Sequence, residues 1–148
     1  MPRYIRMLNE DQLPDGPRRE FVAKLYEYYE RAEFPSLQVI SDRCSELTER
    51  DDRLRGSASR ETVRRMLTGS SVREGVPLWE SVEVVYRALC DLAGQDPDAS
   101  YQWTNGYEAE TIKFLDELRD AWKQALKAPP VKPQQLGGWG GPVGEPPF

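Results

Sequence analysis

The chain has 148 residues and a formal charge of −5. Its aliphatic, aromatic and sulfur residues make up 39 %, and its 11 Gly bring the apolar share to about 46 %, enough for one ordinary domain with a modest core. It contains no histidine and only two cysteines, which excludes a Ser-His-Asp triad, a Cys-His pair and any His-containing zinc site; two thiolates alone cannot complete a tetrahedral zinc shell. There is no P-loop or dinucleotide-type glycine pattern and no long apolar run, so the reading is a non-enzymatic binding protein without metal, cofactor or membrane span.

The opening segment 1–16 is mixed in character and predicts an N-terminal arm. Met1-Pro2-Arg3-Tyr4 lacks the apolar region of a signal peptide, so a cytoplasmic location is expected. Pro14 and Pro17 bracket a turn, and Pro17 suits the first turn of a helix whose apolar positions Phe21, Leu25, Tyr28, Tyr29 and Ala32 recur every three or four residues until Pro35. Ser36 is a good N-cap for a second helix with the stripe Leu37, Ile40, Cys44 and Leu47. A polar stretch, TERDDRLRGS from Thr48 to Ser57, follows. Ser59 then caps a short helix, 60–68, with Val63, Met66 and Leu67 inward and Gly69 as its stop.

Pro77 opens a fourth helix, with Val82, Val85, Tyr86, Leu89 and Cys90 inward and Gly94 at its end; the helical spacing outweighs the strand-like run Val82-Glu83-Val84-Val85. After the turn Asp96-Pro97-Asp98, the last helix is expected from about Tyr107 to Lys127. Its stripe of Ile112, Leu115, Leu118, Trp122, Ala125 and Leu126 packs on the bundle or forms a dimer seam. Cys44 and Cys90 fall on apolar faces and read as buried thiols, while Trp79 and Trp103 read as lids on the core. Residues 129–148 contain six Pro and five Gly, the composition of a disordered tail, with Trp139 and Phe148 as mobile aromatics. No sheet is expected. The predicted fold is all-α: a compact bundle of four or five helices over residues 17–128, containing a helix-turn-helix with an expanded turn.

Charge is distributed unevenly. Arg50 to Arg73 carries seven Arg against three acids, a local +4, which leaves −9 on all other residues. Such polarity lets one face approach a polyanion while the rest limits non-specific adhesion. The plainer alternative is a solvated surface with i, i+4 pairing, Glu61 with Arg65. With Val63 and Leu67 inward, Arg60, Glu61, Arg64 and Arg65 project outward, the arrangement a recognition helix needs.

The segments PSLQVISDRC, SRETVRRMLTG and VPLWESVEVVYRALCDLAGQDP together resemble small actinobacterial helix-turn-helix proteins related to the Xre and phage-repressor group. The resemblance covers about Leu13 to Pro97, with a looser echo in Phe114 to Ala125. It implies a double-stranded DNA-binding transcriptional regulator without the additional effector domain of many members. By motif position it places Arg60, Glu61 and Arg65 against bases, and Ser59, Arg64 and Thr68 against phosphates. Arg to guanine and Glu to cytosine are the pairings their chemistry allows, although a capping or Arg-orienting role explains Glu61 equally. Arg73, and Arg53 and Arg55 of the Thr48–Ser57 insertion, are further candidate phosphate contacts. That insertion departs from the group's short turn and is either a basic arm or a solvated loop. Proteins of this kind commonly pair to read two half-sites, so a homodimer is a further expectation. The competing function is a protein-interaction adaptor that no longer reads DNA and engages a partner through its acidic surface, C-terminal helix or tail.

Overall fold

A computed structural model describes residues 4–73 and 75–130; the tail's Trp139 and Phe148 lie outside the described residues. Helix α1 (Pro17–Arg31) opens on its proline and buries Phe21, Val22, Leu25, Tyr28 and Tyr29. Two consecutive residues with positive φ, Glu33 (64°) and Phe34 (54°), then reverse the chain, and the Phe34 amide donates to the Tyr29 carbonyl at 3.1 Å. Helix α2 (Leu37–Arg50) is capped by Ser36, whose hydroxyl accepts from the Val39 amide, and it buries Ile40 and Cys44.

Helix α2 runs through Thr48–Arg50, residues that the sequence assigns to the insertion, so only residues 51–59 separate it from α3 (Arg60–Thr68). The connection is pinned. Ser41 donates to the Ala58 carbonyl at 2.8 Å, and Gly56 lies so close to the backbone of Glu80 that a Cβ there would stand 2.0 Å from the carbonyl oxygen. Helix α3 is capped by Ser59 through the Thr62 amide and ends at Gly69, whose φ of 95° suits glycine. It buries Val63, Met66 and Leu67. A 3₁₀ turn, Ser70–Val72, leads towards α4 (Trp79–Ala93), which starts two residues beyond the expected Pro77 and buries seven side chains between Val82 and Cys90.

The expectation of an all-α bundle is overturned after α4. Strands β1 (Ser100–Thr104) and β2 (Ala109–Lys113) pair antiparallel, with Tyr101 opposite Ile112 and Trp103 opposite Glu110, so the chain is α+β. The helix expected from Tyr107 begins only at Phe114, as α5 (Phe114–Lys127). Physically, Asn105-Gly106 makes the reversal: Gly106 takes φ 93°, and the Asn105 side chain accepts from the Tyr107 and Glu108 amides at 2.9 and 2.8 Å. Trp103, expected as a lid on the core, is 45 % exposed on this hairpin. Trp79 does pack inward, with its ring 5.7 Å from that of Trp122.

The core lies between α1 and α4, closed on one side by the α2–α3 pair and on the other by α5. Helix α5 buries Leu118 and Ala125 and half-buries Leu115 and Trp122, so most of its stripe is occupied within the chain; Leu126 stays exposed. Trp122 also donates to the Pro77 carbonyl at 2.8 Å. The segment before α1 is bound to the domain: Leu13 is fully buried, and Leu8 donates to the Thr68 carbonyl at 2.8 Å. No helix among the described residues is long and apolar enough to cross a membrane.

Candidate nucleic-acid interface

The apolar positions of α3 determine what it shows to solvent. With Val63, Met66 and Leu67 turned into the core, the 100° rotation per residue places Glu61 and Arg65 outside, while Arg60 is free of the core because it begins the helix, and all three are exposed. Arg60 and Arg65 form no ion pair among the described residues. They are five residues apart, a rise of about 7.5 Å along the helix axis. Ser59, in the capping position just ahead of them, is exposed as well.

Glu61 pairs with Arg64, not with the expected Arg65. The Arg64 Nε donates to one carboxylate oxygen at 3.0 Å and Nη2 to the other. This two-pronged contact holds the Glu61 carboxyl below the ordinary carboxylate range and raises the Arg64 guanidinium. The orienting role is therefore the one the geometry gives Glu61, and it leaves Arg65 as the uncommitted cation on that side of the helix.

The remaining expected contacts separate. Thr68 is withdrawn: it is buried, and its hydroxyl faces the Arg65 carbonyl and Ser70 at 3.4 and 3.3 Å, so it presents no phosphate contact. This is the physical consequence of the 3₁₀ turn folding back over the end of α3. Arg73 follows that turn, half-buried, with its Nε enclosed and without a partner among the described residues. Arg53 is 90 % exposed, but its guanidinium is tied to Asp51 through two 3.0 Å hydrogen bonds and lies within electrostatic reach of Arg87 and Asp98, on the α4 side. Arg55 is exposed next to Gly56, where the connection abuts the first turn of α4. The seven Arg thus do not form one patch. Arg60 and Arg65 of α3 border two different clefts, Arg60 that at the start of α2 and Arg65 that beside Ser71 and Pro77, and Arg53 belongs to the α4 side.

One participant escaped the sequence reading. Gln38, in the first turn of α2, is exposed and shares a cleft with Arg60 and Glu61. The signal was present in Ser36: a cap there puts residue 38 in the second helical position, outside the Leu37–Ile40 stripe. The two helix starts, each with free backbone N–H groups, therefore open on the same side of the molecule, a favourable surface for anionic oxygens. No metal-binding cluster of acidic or thiol groups occurs among the described residues. No protein-family model, curated protein or solved structure matches this chain.

Proposed function

We propose that this protein is a cytoplasmic, sequence-specific binder of double-stranded DNA, a transcriptional regulator of the Xre and phage-repressor type that works without a catalytic or cofactor site. The observation that carries the reading is the exposed surface of α3, on which Arg60 in the first turn and Arg65 in the last project without ion pairs among the described residues. A helix with its side chains is about 10–12 Å in diameter and enters a major groove about 12 Å wide, along which the nine residues of α3 extend about 13.5 Å. The rise of about 7.5 Å between Arg60 and Arg65 matches about two base-pair steps, so the two guanidinium forks can address guanines on either side of one intervening base pair. Arg64, oriented by Glu61, and the Ser59 cap supply phosphate contacts that fix register. A dimer reading two half-sites has to use a surface other than the buried positions of the α5 stripe.

Selection from random duplexes, followed by gel shift at moderate salt, tests this reading. A defined motif is expected, and Arg65→Ala should weaken binding by about 1–3 kcal/mol and relax one position of the motif. Absence of any enriched sequence abandons the reading.

The hairpin favours a second one. Trp103 is 45 % and Tyr107 96 % exposed, beside Glu108 and Glu110, which suits a protein partner better than a phosphate backbone. On this adaptor reading, W103S/Y107S abolishes partner binding while R60A/R65A leaves it intact.

A further inference from the structure

We propose that the cleft between the Tyr4–Ile5 segment, the α1–α2 turn and the starts of α2 and α3 binds a small organic carboxylate, and that the ligand occupies Arg60 and so opposes DNA. The second half rests on the DNA reading; the first does not.

The cleft has a volume of about 540 Å³, within the usual range for small-molecule sites. Its walls are largely apolar, built by Ile5, Pro35 and Leu37 with the rings of Tyr4 and Tyr29. Most polar groups along it already have partners. The Tyr29 hydroxyl accepts from the Ile5 amide at 3.2 Å, Ser36 caps α2 at 3.1 Å, Gln38 donates to Asp42 at 2.7 Å, and Glu61 is held by Arg64. Arg60 differs: it lines the same space, is exposed, and forms no ion pair among the described residues. The charge left for a ligand is therefore positive, and it stands beside an apolar wall. An anion with an apolar body satisfies both, whereas a bare anion uses only Arg60 and a neutral ligand only the wall.

A second feature shows that the wall is preformed. Glu33 and Phe34 both adopt left-handed backbone, which a bulky side chain keeps only where its surroundings impose it. Here Tyr4 stacks on Phe34 with ring centroids 4.4 Å apart, and Tyr29 meets Phe34 edge-on at 5.3 Å. Tyr26 holds the Ile5 carbonyl at 2.7 Å. The strapped segment and the strained turn brace each other, and together they shape one wall of the cleft that Arg60 also lines.

The ligand is tested first without DNA. Backbone-amide NMR of the full chain is titrated with benzoate, and separately with benzamide and inorganic phosphate, to about ten times a millimolar Kd. Saturable shifts centred on Ile5, Leu37, Gln38 and Arg60 are expected for benzoate, with benzamide about tenfold weaker or more. Arg60→Gln should reduce benzoate to the level of benzamide. No saturable shift, equal binding of benzamide, or phosphate binding as tightly as benzoate overturns the site. Duplex binding is then measured with and without saturating benzoate. Weakened binding supports the coupling, and unchanged binding overturns it. A protein that binds benzoate here but no duplex at all retains the site and loses the DNA reading.

Discussion

Arg18 is a cation inside the fold that pairs with no carboxylate among the described residues. It is 6 % exposed and donates to the Val72 carbonyl and, at 3.0 Å, to the Ala128 carbonyl. Those oxygens end the 3₁₀ turn and α5, so one guanidinium ties both to the start of α1, and the negative end of the α5 dipole offsets part of its charge. Arg18→Met keeps much of the side-chain volume but leaves two carbonyls unsatisfied. The expected loss is about 1–3 kcal/mol in urea unfolding, because each buried orphan acceptor carries a desolvation penalty. The cysteines behave oppositely, as neutral groups that burial keeps protonated. Burial pushes Cys44 from the ordinary 9 up to about 12 and Cys90 to about 11, and it also raises Tyr86. In the unfolded chain the thiols ionise near 9, so the fold binds more protons above that pH. Its stability is fully present below pH 9 and declines as pH rises through 11 to 12. Denaturant midpoints at pH 8 and pH 10.5 should fall for the native chain, and fall less for C44A/C90A.

At the scale of elements, the helices were legible because periodicity and caps agree. Ser36, Ser59, Gly69 and Gly94 all stand where the sequence puts them. The hairpin was not, because Ile112 sits three residues before Leu115 and so has the spacing of the α5 stripe, although it belongs to a strand. The competing signal was local: Asn105-Gly106 between Tyr101-Gln102-Trp103-Thr104 and Thr111-Ile112. The α2–α3 connection is shorter than its polar run implies, for another reason. Thr48, Glu49 and Arg50 are polar because that end of α2 faces water, not because the helix has stopped. What holds residues 51–59 is a backbone approach that no periodicity reveals, Gly56 against Glu80. Gly56→Ala places a methyl carbon 2.0 Å from that carbonyl oxygen, so either the connection or the first turn of α4 must move. A loss of about 1–3 kcal/mol or more is expected in thermal or urea unfolding. On the DNA reading, affinity should drop as well, because the connection sets where α3 begins.

At the scale of the whole molecule, the expected basic cluster resolves into separate groups, and this fixes a measurable quantity. On the DNA reading, affinity follows the number of phosphates neutralised, with log K falling against log salt by about 0.9 per phosphate. Were all seven Arg between Arg50 and Arg73 engaged, the slope would be about −6. The geometry keeps Arg53 at Asp51 and within reach of Asp98, away from α3, and buries the Arg73 Nε. Arg50 folds back on its own helix, donating to the Glu46 carbonyl at 3.4 Å, and Arg55 stands where the connection abuts the start of α4. That leaves Arg60, Arg64 and Arg65 on α3, hence a slope of about −3 in anisotropy titrations of a labelled non-specific duplex. The −9 carried outside the Arg50–Arg73 segment acts in the same direction: salt screens its repulsion of the duplex, which flattens the slope further. Two variants separate the contributions. Arg53→Ala should leave the slope unchanged, whereas Arg65→Ala should lower its magnitude by about one. A slope near −6 shows that the connection binds along with α3, and one that responds to Arg53 and not to Arg65 assigns the duplex to the α2–α3 connection in place of α3.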